Sequence, residues 1–296
     1  MSVLHAFDRC RSPADFYQVR IGLENLATPE EMHALVAAAE RLPEPVKPWL
    51  QGLGAMMAAG ATDTQAYRRT ALGPNVTLFA SDEAGGARKC LIASFCGLYP
   101  HRPLAIPTPV FLQHVPARRY DVLVLRDPGQ RFYIDGVAEF GDGIGGVAQR
   151  LRALARERDS AGLRTLGMSA GTLAALVAGT LASAQCAVGF SGEHPGAPRF
   201  ETRLRESGLD TRALDRALDG AAADAATRTM LIFGADSAPD RDGAESIRRV
   251  FPRARVVEVA GISSHFVPYE LLRRGALARL LDQAILDGFD PGPGPD

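Results

Sequence analysis

One serine in this chain sits between two glycines. In the run LRTLGMSAGTLAALVAG, Gly167 and Gly171 each lie two positions from Ser169. Glycines at that spacing leave room for a sharp turn that lifts a hydroxyl clear of the backbone. A serine hydroxyl is a poor nucleophile at neutral pH. It needs a base to take its proton and a third group to orient the base. Downstream, Asp236 closes the run TMLIFGAD and His265 lies in the loop AGISSHF. A serine, an acid and a histidine in this order point to acyl transfer through a covalent intermediate.

The elements around these residues predict how they would be positioned. LRTLGM reads as a strand and AGTLAALVAGTLA as a helix, so Ser169 falls on a strand-to-helix turn at a helix N-terminus, where developing negative charge is favoured. From Asn75 onward, strand-like runs (NVTLFASD, ARKCLIASFCG, YDVLVLRD, CAVGFSG, TRTMLIFGAD, ARVVEVAG) alternate with helical ones (GIGGVAQRLRALARERD, DRDGAESIRRVF, PYELLRRGALARLLDQAIL). Alternation of this kind, with several strands apolar throughout, predicts an α/β fold: a mostly parallel central sheet with helices on both faces. Sites in such sheets form at the carboxyl ends of strands, which is where Ser169, Asp236 and His265 fall. Before the sheet, Ser12-Pro13-Ala14-Asp15 and Thr28-Pro29-Glu30-Glu31 are helix starts, the second a capping box. The predicted organisation is an N-terminal helical extension over 1–70, a catalytic domain over 71–288 and a disordered tail over 289–296.

Residues from about 75 to 288 resemble the α/β-hydrolase superfamily, on the elbow GMSAG and on the run LIFGADSAPDRDGAESIRRVFPRARVVEVAGISSHF. The resemblance implies Ser169 as nucleophile, His265 as base and Asp236 as the acid. Asp240 and Glu193 are the alternative acids, although Asp240, like Asp242, suits a helix cap or first turn. The oxyanion hole would be the amides of Ala170 and, from the loop CGL that replaces a family His-Gly-x, Leu98. Cys96 in that loop has no elbow context and reads as a core cysteine. The implied activity is a serine hydrolase acting on an ester, thioester or amide, foremost a carboxylic ester, with no metal and no organic cofactor. The alternatives are an acyltransferase of the same fold and a non-catalytic scaffold that docks through its N-terminal helices. A serine at the elbow argues against dehalogenase chemistry, which uses aspartate there.

Other signals bound the reading. FYIDGVAEFGDG is aromatic and acidic, and offers Phe132, Tyr133 and Phe140 as walls of a pocket for a small-molecule acyl substrate. GDGIGG fits a dinucleotide fingerprint, but it does not directly follow its strand, and the next strand ends at the serine rather than at an acid. A formal charge of −1 gives no footprint for nucleic acid. No apolar run approaches the roughly 18 residues of a spanning helix. MSVLHAFDRCRSP lacks the basic and apolar regions of a signal peptide. The four cysteines include no CxxC pair and read as reduced. The expectation is a cytoplasmic protein with a small-molecule substrate, and with the N-terminal helices as the surface for any protein partner or self-association.

Overall fold

A computed structural model describes residues 3–58, 66–81, 88–98, 102–194, 212–222 and 226–286. The tail expected to be disordered and the turn DEAGG lie outside these residues.

Three helices open the chain: α1 (Pro13–Leu26), α2 (Pro29–Ala37) and α3 (Lys47–Ala58). Ser12 and Thr28 cap α1 and α2 with reciprocal bonds to Asp15 and Glu31, and a proline occupies the first turn of each. The main sheet follows, built from β1 (Arg68–Gly73), β2 (Val76–Ala80), β3 (Cys90–Phe95), β4 (Tyr120–Leu125), β7 (Gly162–Met168), β8 (Cys186–Phe190), β9 (Arg228–Gly234) and β10 (Arg255–Val259). A two-stranded ribbon, β5 (Gly136–Val137) with β6 (Gly141–Asp142), lies between β4 and β7. The connecting helices are α4 (Thr108–Gln113), α5 (Gly143–Glu157), α6 (Ala170–Leu181), α7 (Arg212–Ala222) and α8 (Ala238–Arg248), with α9 (Val267–Arg273) and α10 (Leu277–Leu281) closing the chain.

The strand order is β1-β2-β4-β3-β7-β8-β9-β10. Neighbours from β4 to β10 pair in parallel, while β2 runs antiparallel to both β1 and β4. This is the α/β architecture that the alternation predicted, a mostly parallel central sheet with helices on both faces. The alternation along each strand divides the core in two. Leu91, Ala93 and Phe95 of β3 face α5, α6 and α8. Ile92 faces α4, α9, α10 and the apolar sides of α2 and α3, including Met32, Leu35, Leu50 and Leu53.

The N-terminal helices therefore share the core of the sheet, and polar contacts fix where they sit. The C-terminal carbonyls of α1 would lack partners within the helix. Asn25 O accepts from Arg126 (2.6 Å) and Thr108 Oγ1 (3.0 Å), and Leu26 O accepts from Arg69 (2.6 Å). Glu24, 2% exposed, accepts from Trp49 Nε1 at 2.6 Å and Arg20 Nε at 3.0 Å and pairs with Arg102.

Two elements depart from the sequence reading. The sheet begins earlier than Asn75, because RRTALG forms an edge strand whose largely exposed residues give no alternating apolar signal. The closing helix is broken at Gly275, which takes φ +68° and lets the chain turn between α9 and α10.

Candidate active site

The elbow forms as its glycines predict. Ser169 adopts φ 55°, ψ −119°, outside the regions that suit a residue with a side chain. Its amide donates to Phe190 O at 2.8 Å, and α6 begins at the next residue. A Cβ on Gly167 would lie 2.1 Å from Gly171 O, and one on Gly171 would lie 2.3 Å from Phe95 O and 2.7 Å from Cys96 O. The glycines thus let β7, the start of α6 and the end of β3 close on one point.

That point opens onto a cavity of about 490 Å³ at the carboxyl ends of the strands. Ser169, His265, Leu98, Ala170 and Phe132 all line it, as do Asp236, Asp240, Glu193 and Ser191. The residues singled out from the sequence therefore meet in one cavity wall, apart from Tyr133 and Phe140, but one pairing differs from the expectation. His265 Nδ1 is bonded to Asp240 Oδ1 at 2.7 Å, not to Asp236. Asp236 stays exposed in the turn after β9, where its amide donates to Ile262 O at 3.0 Å. Asp240 lies one helical turn further on, in the first turn of α8, with its side chain 2% exposed. SAPD has the spacing of a capping box, yet Ser237 makes no side-chain cap bond and the Asp240 carboxylate turns into the cavity. Burial raises the Asp240 carboxyl. Its hydrogen bond to His265, the imidazole's charge and the hydroxyls of Ser237 and Ser191 outweigh that penalty, so it sits below its ordinary range. Ser169 and His265 share the cavity wall without a direct hydrogen bond between them.

The three aromatic candidates also separate. Phe132 faces the cavity, whereas Tyr133 and Phe140 do not line it. Tyr133 is buried beneath the Cys96-Gly97-Leu98 loop with its hydroxyl on main-chain carbonyls, and burial pushes its phenol well above the usual range, so it remains a proton donor. Phe140 packs in the core beside α5, with the Arg150 guanidinium 5.9 Å from its ring centroid. Both are aromatic residues in a loop near the site, and the sequence carries no signal of which side of the loop faces inward. Cys96 is buried and its thiol is pushed up to about 12, which leaves it unionised and unreactive. In GDGIGG, a Cβ on Gly141 would lie 2.5 Å from Gly146 C, so these glycines serve backbone packing. The Ser191 and Ser237 hydroxyls beside Asp240 were not singled out from the sequence. Their signal was position alone, Ser191 directly after β8 and Ser237 three residues after β9 at the start of α8.

Among the described residues, no group of three or more His, Cys, Asp or Glu side chains is placed to hold a metal. No helix there is long and apolar enough to cross a membrane.

No protein-family model matches the chain, and no curated protein sequence matches it. Solved structures of similar shape include esterase B from Lactobacillus rhamnosis, at 14% identity and a TM-score of 0.44 over 86% of this chain and 98% of that one. The capsule O-acetyltransferase of Neisseria meningitidis serogroup A is similar at 13% identity and a TM-score of 0.48 over 73% of this chain and 96% of that one. The S-formylglutathione hydrolase of Staphylococcus aureus is similar at 13% identity and a TM-score of 0.47 over 71% and 94% of the two chains.

Proposed function

We propose that this protein is a serine hydrolase of carboxylic esters, working through a Ser169–His265–Asp240 triad. The observation that carries the reading is the 2.7 Å bond between His265 and the buried Asp240 in the cavity that also holds the strained Ser169. Ser169 Oγ attacks the ester carbonyl while His265 Nε2 takes its proton. Asp240 accepts from Nδ1–H, which fixes the tautomer and stabilises the imidazolium as it forms. The Ala170 and Leu98 amides receive the oxyanion, with the N-terminus of α6 adding to the field. The intermediate collapses, His265 returns the proton to the departing alcohol, and an acyl-serine remains. Water, activated by the same histidine, releases the acid.

The cavity favours a short or polar acyl group. Hydroxyl and carboxylate groups interrupt its wall at Ser191, Glu193, Asp236 and Ser237, so among the described residues no continuous apolar channel is offered to a long chain. Labelling with a fluorophosphonate probe tests the nucleophile. The wild type is expected to label and Ser169→Ala is not. A folded wild type that resists the probe, or a Ser169→Ala variant that still labels, rejects the reading.

A further inference from the structure

We propose that Tyr133 is a positioning residue for the oxyanion hole: its buried hydroxyl holds the Cys96–Gly97 peptide plane and so sets the direction of the Leu98 amide beside Ser169. This rests on the reading of Ser169 as the nucleophile. Tyr133 Oη lies 3.0 Å from Cys96 O and 2.9 Å from Leu125 O. A phenol has one proton to give. Leu125 O already accepts the Cys96 amide at 3.1 Å. Cys96 O receives no other donor among the described residues, so the proton is needed there.

The carbonyl held in this way belongs to the machinery around the elbow. It presses on Gly171, where a Cβ would come within 2.7 Å of it. Gly97, in the same peptide plane, lies so close to the elbow that its Cβ would sit 3.3 Å from Met168 O and 3.6 Å from Ser169 Cβ. Rotation of that plane would change the backbone at Gly97 and carry the Leu98 N–H away from the oxyanion position.

The tyrosine is itself held firmly. Phe95 meets its ring edge-on at 5.2 Å between centroids. Asp127 Oδ2 accepts from the Tyr133 amide at 3.0 Å and from the Arg131 amide at 2.7 Å. Phe132 and Tyr133 both take positive φ, 56° and 60°, a costly conformation for residues with side chains. That strained turn puts Phe132 on the cavity wall and Tyr133 beneath the loop. The oxyanion exists only in the transition state and the tetrahedral intermediate, so loss of the hydroxyl should fall on kcat and spare KM.

Tyr133→Phe removes the proton and keeps the ring. On p-nitrophenyl acetate, kcat is expected to fall about tenfold, a fraction of the loss of a whole oxyanion donor, with KM held within about twofold. Binding of phenylboronic acid, which mimics the tetrahedral adduct, should weaken in parallel, and the Gly97 and Leu98 amides should exchange hydrogen faster. Installing 4-aminophenylalanine at position 133 restores a donor and should restore kcat. Wild-type kcat together with unchanged exchange in Tyr133→Phe overturns the proposal. If the wild type does not label at Ser169, the hydrolase reading fails separately and exchange judges the loop: faster exchange supports the role of the hydroxyl, and unchanged exchange overturns it. Should Tyr133→Phe not fold, 4-fluorophenylalanine at 133 fills the volume of the hydroxyl without a proton and carries the same comparison.

Discussion

Exchanging Asp240 for asparagine separates two of the three acids that the sequence offered, Asp236 and Asp240. The 2.7 Å contact between Asp240 Oδ1 and His265 Nδ1 puts the two charge centres roughly 4 Å apart, and near a protein surface such a pair is worth about 4 kcal/mol. His265 is one-third exposed, so this near-surface value applies rather than the larger one of a dry interior. In the proposed reaction the imidazolium forms only as Ser169 attacks, so the attraction is lost from the transition state and not from substrate binding. At 1.36 kcal/mol per decade, about 4 kcal/mol is roughly a thousandfold in kcat. An asparagine could also present its amide N–H to Nδ1 and select the wrong tautomer, which would deepen the loss. Asp236→Asn changes an exposed side chain outside that bond and should keep kcat within about threefold. The assay is hydrolysis of p-nitrophenyl acetate by the two variants, with thermal melts to confirm folding. An Asp240→Asn enzyme with more than about a tenth of wild-type kcat, or an Asp236→Asn enzyme as damaged as Asp240→Asn, would refute the assignment.

Three further outcomes follow from the same geometry. Gly171→Ala drives a Cβ to 2.3 Å from Phe95 O; the backbone must shift, at about 2–4 kcal/mol, and calorimetry should show Tm lower by roughly 5–10 °C. Ser169→Gly relieves the φ 55° strain that Ser169→Ala keeps, so the glycine variant should melt a few degrees above the alanine variant by about 1 kcal/mol, with neither labelling. The folded-state pKa of Asp240 lies below its unfolded value, so its contribution to stability is present above the ordinary carboxylate range and is lost as pH falls through the folded value. Stability measured by denaturant as pH falls from about 5 to about 2 should accordingly drop less steeply in Asp240→Asn than in the wild type.

The turn that presents Ser169 was legible because its constraint is local. Gly167 and Gly171 are needed within a few residues of Ser169, so the sequence states the requirement in one short run. The carboxylate that bonds His265 was less legible because its constraint is spatial. Asp236 sits where a strand ends, and Asp240 sits where a helix begins, in a run with the spacing of a cap. Choosing between them requires the direction of the first turn of α8, which is fixed by the turn at Ala235–Asp236, where the Ala235 amide donates to Val259 O and the Asp236 amide to Ile262 O. Those partners are contributed by β10 and the loop that follows it. Tyr133 was hidden for a related reason: its hydroxyl meets Cys96 O and Leu125 O only once β3 and β4 lie side by side.

The same distinction explains the N-terminal helices. Their caps are local, and Ser12 and Thr28 announce them plainly. Their place in the molecule is not local: Glu24 meets Arg102, Asn25 meets Arg126 and Leu26 meets Arg69, all more than forty residues away in sequence. Arg126 follows β4 directly, and the Leu125 carbonyl before it anchors the Cys96 amide at the start of the Cys96–Leu98 loop. The helices are thus tied by side chains to the edge of the sheet that carries the site. Glu24→Ala tests that tie, because it leaves Arg102 buried without its partner. Breaking such a pair costs about 3–5 kcal/mol. If the helices fold with the sheet as one unit, this variant should melt in a single transition at lower temperature, with no separate early unfolding of α1 to α3 by circular dichroism. A distinct low-temperature helical transition that leaves Ser169 able to label would show instead that the helices are an independent unit and that the site does not depend on them.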